Sequence, residues 1–181
     1  LDKDGKFLAM RGSNLVNQGA YAIAFGSLNK GVEIMSSIYH VPVVHFRARA
    51  ALTNTLPTRP YRSSGRPEVM FVMERLIDLA AIEAGIDRIA LRRRNLVPVE
   101  MMPYTNPFGM IYDSGEYHDC MEKVLRLGDW AGFPARRAAA RARGRLRGIG
   151  VANYVDTATG APREKAEMVV RPEGIVEVAI G

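Results

Sequence analysis

The feature that most restricts the fold is an apolar stripe at helical spacing in the middle of the chain. Its members are Val69, Met70, Met73, Leu76, Ile77, Ala80, Ala81 and Ala84. Residues three and four apart share one face of an α-helix, so the spacing predicts a helix with one buried side. Gly85 follows the stripe and predicts the end of the helix, because glycine readily takes the left-handed conformation found there.

Further helices are predicted after this one. Asp87 is a suitable N-cap for a second helix that ends near Leu96, before a proline. Asp113 and Glu116 have the spacing of a capping box in front of another apolar face. Pro134 opens a segment rich in alanine and arginine that is predicted to be helical to about residue 143. The chain therefore carries a central group of helices.

Strands are predicted on both sides of this group. The candidate strands, identified by apolar runs and by alternation, are residues 7–10, 41–52, 148–155, 165–170 and 175–180. Residues 172–174 (Pro-Glu-Gly) are typical of a turn between the last two. The type of residues 14–27 stays open. The sequence predicts an α+β fold in which strands flank a central group of helices.

Composition excludes several classes of protein. The 181 residues are 48% hydrophobic and 24% charged, as in ordinary globular proteins and unlike disordered or collagen-like chains. The single cysteine, Cys120, cannot form an internal disulfide, and its place beside an apolar helix face predicts a buried thiol. The histidines, His40, His45 and His118, are too scattered for a metal site of their own. No apolar run reaches the roughly 20 residues of a transmembrane helix.

The net charge of +6 is concentrated in one segment. Six arginines fall within residues 136–147, and a smaller basic cluster occupies residues 92–94. The first segment is compatible with a solvated helix face or with a basic module that binds nucleic acid or an acidic protein. Aromatic residues that could stack on bases are missing from it, which favours the solvated face.

A loop before the first helix is suited to binding an anion. Residues 60–68 read Pro-Tyr-Arg-Ser-Ser-Gly-Arg-Pro-Glu, with two arginines and two hydroxyls between breakers. Backbone N–H groups at a helix start and a nearby guanidinium suit phosphate or a metal-oxo group. An ordinary connecting loop with Pro67 in the first helical turn explains the same pattern.

Three stretches, taken in order, resemble the molybdopterin-binding large subunit of the xanthine dehydrogenase, aldehyde oxidase and carbon monoxide dehydrogenase family. The first is residues 53–57 leading into Tyr61-Arg62-Ser63-Ser64-Gly65-Arg66-Pro67-Glu68. The second runs from Glu74-Arg75-Leu76-Ile77-Asp78 to Arg92-Arg93-Arg94-Asn95-Leu96. The third joins residues 103–105 to residues 112–115 and then to Gly148-Ile149-Gly150-Val151-Ala152.

The resemblance implies that residues 1–181 are an interior part of the molybdenum cofactor-binding domain. Its expected divisions are a strand-rich start (1–52), a cofactor-facing loop (53–68), a helical region (69–145) and a β-region (146–181). The family's other cofactor loops and its catalytic glutamate have no counterpart here. We therefore expect the isolated chain to be inactive and to hold no molybdopterin by itself.

The resemblance also assigns site residues. Arg62, Ser63 and Gly65 are implied to contact the cofactor. Ser64, Lys30 and Thr157 are implied to line the substrate pocket. No catalytic base and no metal ligand are expected within the chain, because Glu68, Glu74 and Glu116 fit a helix cap or a solvated face.

The implied activity is that of a molybdenum hydroxylase. Such an enzyme oxidises an aldehyde or N-heterocycle with oxygen from water. It uses molybdopterin and passes electrons to iron–sulfur clusters and FAD on partner subunits or domains, and a cytoplasmic location is expected. Ser63 stands where carbon monoxide dehydrogenases carry a copper-binding cysteine, and a hydroxyl is a poor ligand for copper, which argues against aerobic CO oxidation.

Overall fold

The computed structural model describes residues 1–23, 26–156 and 165–180, with the backbone alone described at residues 26 and 27. The helices are Gly26–Glu33 (α1), Arg66–Ala84 (α2), Arg88–Asn95 (α3), Tyr117–Leu127 (α4) and Phe133–Ala142 (α5), with a 3-10 turn at Val99–Met101. The strands are Ala9–Gly19 (β1), Val43–Leu52 (β2), Tyr104–Thr105 (β3), Ile111–Tyr112 (β4), Ala166–Val170 (β5) and Val176–Ile180 (β6). The fold is α+β, as predicted. No helix in these ranges is both long and apolar enough to cross a bilayer.

Strands β1 and β2 pair in parallel, and the segment that connects them contains a helix. Ala9 lies opposite Val43, and the register holds until a shift near Gly19. Parallel neighbours cannot be joined by a tight turn, and α1 lies in the connection between them. Gly19 has a φ of 72°, and a Cβ there would collide with the carbonyl oxygen of Leu56. The region whose type the sequence left open is therefore strand as far as Gly19 and helix from residue 26.

Helices α2 and α3 confirm the predicted helix signals. The stripe on α2 is buried at Val69, Met73 and Ile77. Gly85, with a φ of 64°, ends the helix in the left-handed conformation. The Asp87 carboxylate caps α3 by accepting hydrogen bonds from the backbone N–H groups of Ile89 and Ala90, at 3.0 and 2.9 Å. Local chemistry alone is enough to place these boundaries.

The main hydrophobic core joins α2 to α3, to α4 and to the segment between α1 and β2. Ile34, Tyr39 and Val41, from the connection between α1 and β2, are buried against α2. Leu91 of α3 and Met121 of α4 complete the same cluster. In a smaller cluster, Tyr104 of β3 and Tyr112 of β4 pack with Val97. The helix with the strongest sequence signal is thus the centre of the molecule.

The predicted strand at residues 148–155 is wrong. This segment is irregular, although the hairpin of β5 and β6 forms as predicted, with Val170 opposite Val176. Val151 and Val155 pack on the helical core, and the backbone carbonyl of Asn153 accepts a hydrogen bond from Ser37 Oγ at 3.3 Å. The apolar alternation therefore reflects packing against helices and not pairing with a strand.

Two predictions about α4 are also corrected. The helix begins at Tyr117, and Asp113 accepts a hydrogen bond from the Ser114 hydroxyl instead of capping α4. Cys120 is exposed and not buried. Successive helical residues are about 100° apart, so burial of Met121 turns the adjacent Cys120 away from the core.

Candidate functional site

The loop before α2 has an unusual backbone. Ser63, Ser64 and Gly65 follow one another with φ angles of 59°, 48° and 87°. The Ser64 N–H donates to the Arg62 carbonyl oxygen at 2.7 Å, and the Arg66 N–H donates to the Ser63 carbonyl oxygen at 3.2 Å. A left-handed conformation is strained for a residue with a side chain. The two serines are therefore held there by the packing on both sides of the loop.

Helix α1 supplies the packing on one side. A Cβ added to Gly31 would lie 2.8 Å from the Gly65 carbonyl oxygen and 3.1 Å from Val69 Cγ1. Only glycine lets the two segments come this close. Lys30, a predicted substrate-pocket residue, directly precedes Gly31, so the fold places its helix against the predicted cofactor loop.

Arg66 supplies the packing on the other side. Its side chain is buried, and its Nη1 donates to Asp156 Oδ1 at 2.6 Å. The two residues are far apart in sequence, and a charge-assisted bond between them fixes residues 151–156 against the start of α2. Sequence reasoning missed both residues, since neither belongs to a local pattern.

A groove of about 470 Å³ runs between α2 and residues 151–156. Ser63 lines one end of it, while Met70, Phe71 and Glu74 line its length. The groove has the size of a small-molecule site and combines apolar walls with a few polar groups.

An ion-pair network forms the polar part of the groove. The Arg92 guanidinium, from α3, is fully buried and donates to Glu74 Oε2 through Nε at 2.9 Å. Arg92 Nη1 donates to Asp78 Oδ1 at 2.9 Å. The Tyr39 hydroxyl donates to Glu74 Oε1 at 2.6 Å, and Asn153 Nδ2 donates to the Tyr39 oxygen at 3.1 Å. The network joins α2, α3, the α1–β2 connection and residues 151–156 (the groove segment).

The network also shifts the pKa values of Tyr39 and Arg92. Burial raises the pKa of the Tyr39 hydroxyl, and the negative charge of Glu74 raises that pKa further. Burial is the largest single influence on Arg92 and opposes its charge, but Glu74, Tyr39 and Asp78 together outweigh it and raise the pKa of the guanidinium. Tyr39 therefore stays protonated and Arg92 stays charged, as the hydrogen bonds require.

One sequence prediction fails at this network. Glu74 was expected on a helix cap or a solvated face, but its side chain is buried, as is that of Arg92. One signal in the sequence indicates the true position of Glu74. It follows Met70 by four residues and precedes Ile77 by three, so it lies on the buried stripe and requires a partner.

The predicted site residues are brought together in part. Ser63 lines the groove, and Gly65 contacts α1. The Arg62 side chain is exposed, and its guanidinium makes no hydrogen bond or ion pair with any described residue. Ser64 is half-buried but does not line the groove. Thr157 lies outside the described residues. The functional roles of all these residues, Lys30 included, stay predictions.

Most arginines of the arginine-rich segment are exposed to solvent. Its first arginine, Arg136, donates to the Asp129 carboxylate and to the Gly128 carbonyl oxygen, and lies 5.9 Å from the Phe133 ring centre. Arg137 and Arg141 are exposed. Within the described residues, no group of three His, Cys, Asp or Glu side chains could hold a metal ion.

Comparison with known proteins gives a consistent result. Residues 1–96 match the sequence profile of the molybdopterin cofactor-binding domain. The large chain of carbon monoxide dehydrogenase from Hydrogenophaga pseudoflava is 31% identical over 174 residues, covering 92% of this chain and 22% of the relative. The gamma subunit of the 6-hydroxypseudooxynicotine dehydrogenase complex from Paenarthrobacter nicotinovorans is 30% identical, covering 100% of this chain and 24% of the relative.

A solved structure of a related enzyme is also similar to this chain. Quinoline 2-oxidoreductase from Pseudomonas putida 86 superposes with a TM-score of 0.81 at 27% identity, over 98% of this chain and 25% of that one. The chain spans about a quarter of the length of these relatives. The resemblance to molybdopterin-binding large subunits is confirmed, and it is favoured over a nucleic-acid-binding module.

Proposed function

Because the chain belongs to the molybdopterin cofactor-binding domain family, we propose that it is an interior part of the large subunit of a molybdenum hydroxylase. The parent enzyme oxidises an aldehyde or an N-heterocycle with oxygen from water. The observation that carries the proposal is the loop at the start of α2. Gly31 and the Arg66–Asp156 bond support it from two sides, and the Arg62 guanidinium is left exposed.

The loop fits an oxygen-rich cofactor. Arg62 offers a guanidinium that no described residue engages, and the hydroxyls of Ser63 and Ser64 can donate or accept hydrogen bonds. Gly65, without a side chain, lets the loop lie close against α1. When bound, molybdopterin supplies the redox-active metal together with the sulfur atoms that ligate it. The chain's part is to orient the cofactor through Arg62, Ser63 and Gly65.

The substrate side of the site is assigned to Ser64, Lys30 and Thr157. Contact between α1 and the loop supports the assignment of Lys30, because the residue after it touches Gly65. The bond between Arg66 and Asp156 supports a role for the neighbouring groove segment in shaping the pocket. A lysine ammonium lacks the planar, two-pronged donor geometry of an arginine guanidinium, so a purine is a poor candidate for the substrate.

The catalytic base is assigned to polypeptide outside this chain. Among the described residues that line the groove, Glu74 is the one carboxylate with a buried side chain, and Tyr39 and Arg92 already engage both of its oxygens. Glu68 and Glu116 are exposed. Electrons leave through iron–sulfur clusters and FAD on partner subunits or domains. The parent enzyme is assigned to the cytoplasm. The naming of one relative as a subunit of a dehydrogenase complex supports the expectation of partners.

The test uses the intact enzyme with Arg62→Ala, and Arg59→Ala as the control. Arg59 is an exposed arginine on the same loop and is not one of the residues assigned to the cofactor. We expect Arg62→Ala to lose most of its turnover while its circular dichroism spectrum is retained, because an oriented cation stabilises developing negative charge in a site. Arg59→Ala should behave like the wild type. Full turnover in Arg62→Ala would reject the assignment of that residue.

A further inference from the structure

A separate cavity of about 330 Å³ lies at the C-terminal end of α3. It shares no lining residue with the groove described above. Among the described residues that line it, none has an acidic side chain and five have basic ones: Lys6, His40, Arg93, Arg94 and His118. These residues come from the N-terminal turn, the α1–β2 connection, α3 and α4, so only the fold brings them together.

The end of α3 explains how the cations are held. The Arg93 carbonyl oxygen lies 3.0 Å from His118 Nε2, and because a carbonyl only accepts, that ring nitrogen carries the hydrogen. The Arg94 carbonyl oxygen accepts from Lys6 Nζ at 2.7 Å. The Asn95 carbonyl oxygen accepts from the His40 N–H at 2.8 Å. The last carbonyls of the helix, which usually face water, are therefore occupied.

The cavity keeps most of its positive charge. Arg93 is paired with the Glu122 carboxylate, at 2.5 and 3.0 Å. Lys6 and the Arg94 guanidinium are instead oriented by the carbonyl oxygens of Arg94 and Asp4, which do not neutralise them. An ammonium group has three N–H donors and a guanidinium has five, so both retain donors for a ligand. Like charges held together repel each other, and a bound anion relieves the repulsion.

We propose that this cavity binds the phosphoryl group of a small molecule. A phosphoryl group is compact and multivalent, and its several oxygens match donors that converge from different directions. A single carboxylate would leave most of the positive charge unbalanced. Phe7, Leu96 and Met101 supply an apolar wall for the rest of the ligand. The proposal is independent of the activity proposed above.

Calorimetric titration of the intact enzyme with inorganic pyrophosphate tests the proposal. The site variant is Lys6→Ala/Arg94→Ala. The control is Arg141→Ala/Arg145→Ala, which removes the same charge from exposed positions elsewhere. The wild type should bind saturably, and the site variant should bind about tenfold more weakly, as expected for lost charge-assisted hydrogen bonds. The control should match the wild type.

Two further variants separate binding from folding. His118→Gln keeps a donor for the Arg93 carbonyl but removes the ring, and Arg94→Lys keeps the charge. We expect weaker binding by His118→Gln and partial rescue by Arg94→Lys relative to Arg94→Ala. Equal weakening by the site and control pairs would indicate diffuse attraction to a basic protein and overturn the proposal. Absence of saturable binding, or tighter binding of an aspartate-rich peptide than of pyrophosphate, would also overturn it.

Discussion

Glu74 and Arg92 lie on consecutive helices and form an ion pair whose guanidinium is fully buried, with Arg92 Nη2 2.8 Å from Glu74 Oε2. The Tyr39 hydroxyl donates a hydrogen bond to the other oxygen of the Glu74 carboxylate. The Asn153 side chain, from the groove segment, donates to the Tyr39 oxygen. The pair therefore does more than join α2 to α3. It fixes the irregular segment 151–156 that forms one wall of the candidate site.

Removing the cation should destabilise the fold strongly. Arg92→Met leaves the Glu74 carboxylate buried without its partner, which typically costs about 3–5 kcal/mol. Urea denaturation followed by circular dichroism measures the loss. The control is Glu177→Gln, which breaks an exposed pair with Arg171 and should cost less than about 1 kcal/mol. Similar losses for the two variants would contradict the structural role assigned to Arg92.

Gly31→Ala should destabilise the chain although it lies in a helix. Alanine favours a helix by up to about 1 kcal/mol over glycine. The added Cβ would lie 2.8 Å from the Gly65 carbonyl oxygen, and overpacking of this kind costs about 1–3 kcal/mol. The free energy of unfolding should fall, while Gly148→Ala, with nothing within 4 Å of its new Cβ, should leave it nearly unchanged. A more stable Gly31→Ala variant would refute the close approach of α1 to the loop.

Stability should fall between pH 10 and 12 partly through Tyr112. Burial raises the pKa of this residue from 10.0 to about 12. In that window the unfolded chain loses the proton first and binds fewer protons, so the free energy of unfolding decreases as pH rises. The contribution is fully present below pH 10. Tyr112→Phe should flatten the dependence, whereas Tyr61→Phe, at a fully exposed side chain, should not. Identical pH profiles would disprove the effect.

Asp87 and Asp113 should differ in their contribution to stability. Asp87→Ala removes the cap of α3 and should cost about 1 kcal/mol. Asp113→Ala removes a carboxylate whose hydrogen bond is with the neighbouring, exposed Ser114, and should have a much smaller effect. Thermal unfolding of both variants checks the difference. Equal losses would mean that Asp113 caps α4 after all.

Local signals were sufficient where a residue's role depends on its neighbours in sequence. Gly85 and Asp87 predicted the boundary between α2 and α3, since a left-handed stop and an N-cap act within one turn. The same kind of reasoning failed at Asp113, because several positions near a helix start can cap it. It also failed at residues 148–155, whose alternation suits a strand as well as packing on helices.

The sequence by itself determined the α+β class, the long helix α2, the terminal hairpin and, through its resemblance, the family. Only the tertiary structure decided which charged residues are buried. Arg66 contacts Asp156 and Arg92 contacts Glu74 across separations that no helical or strand period describes. The same holds for the basic cavity at the end of α3, where Lys6, Arg94 and His118 meet. Hydrophobic periodicity and helix capping involve residues a few positions apart, so both can be recognised in the sequence. Burial of a charged side chain depends on which element packs over it, and neither pattern specifies that element.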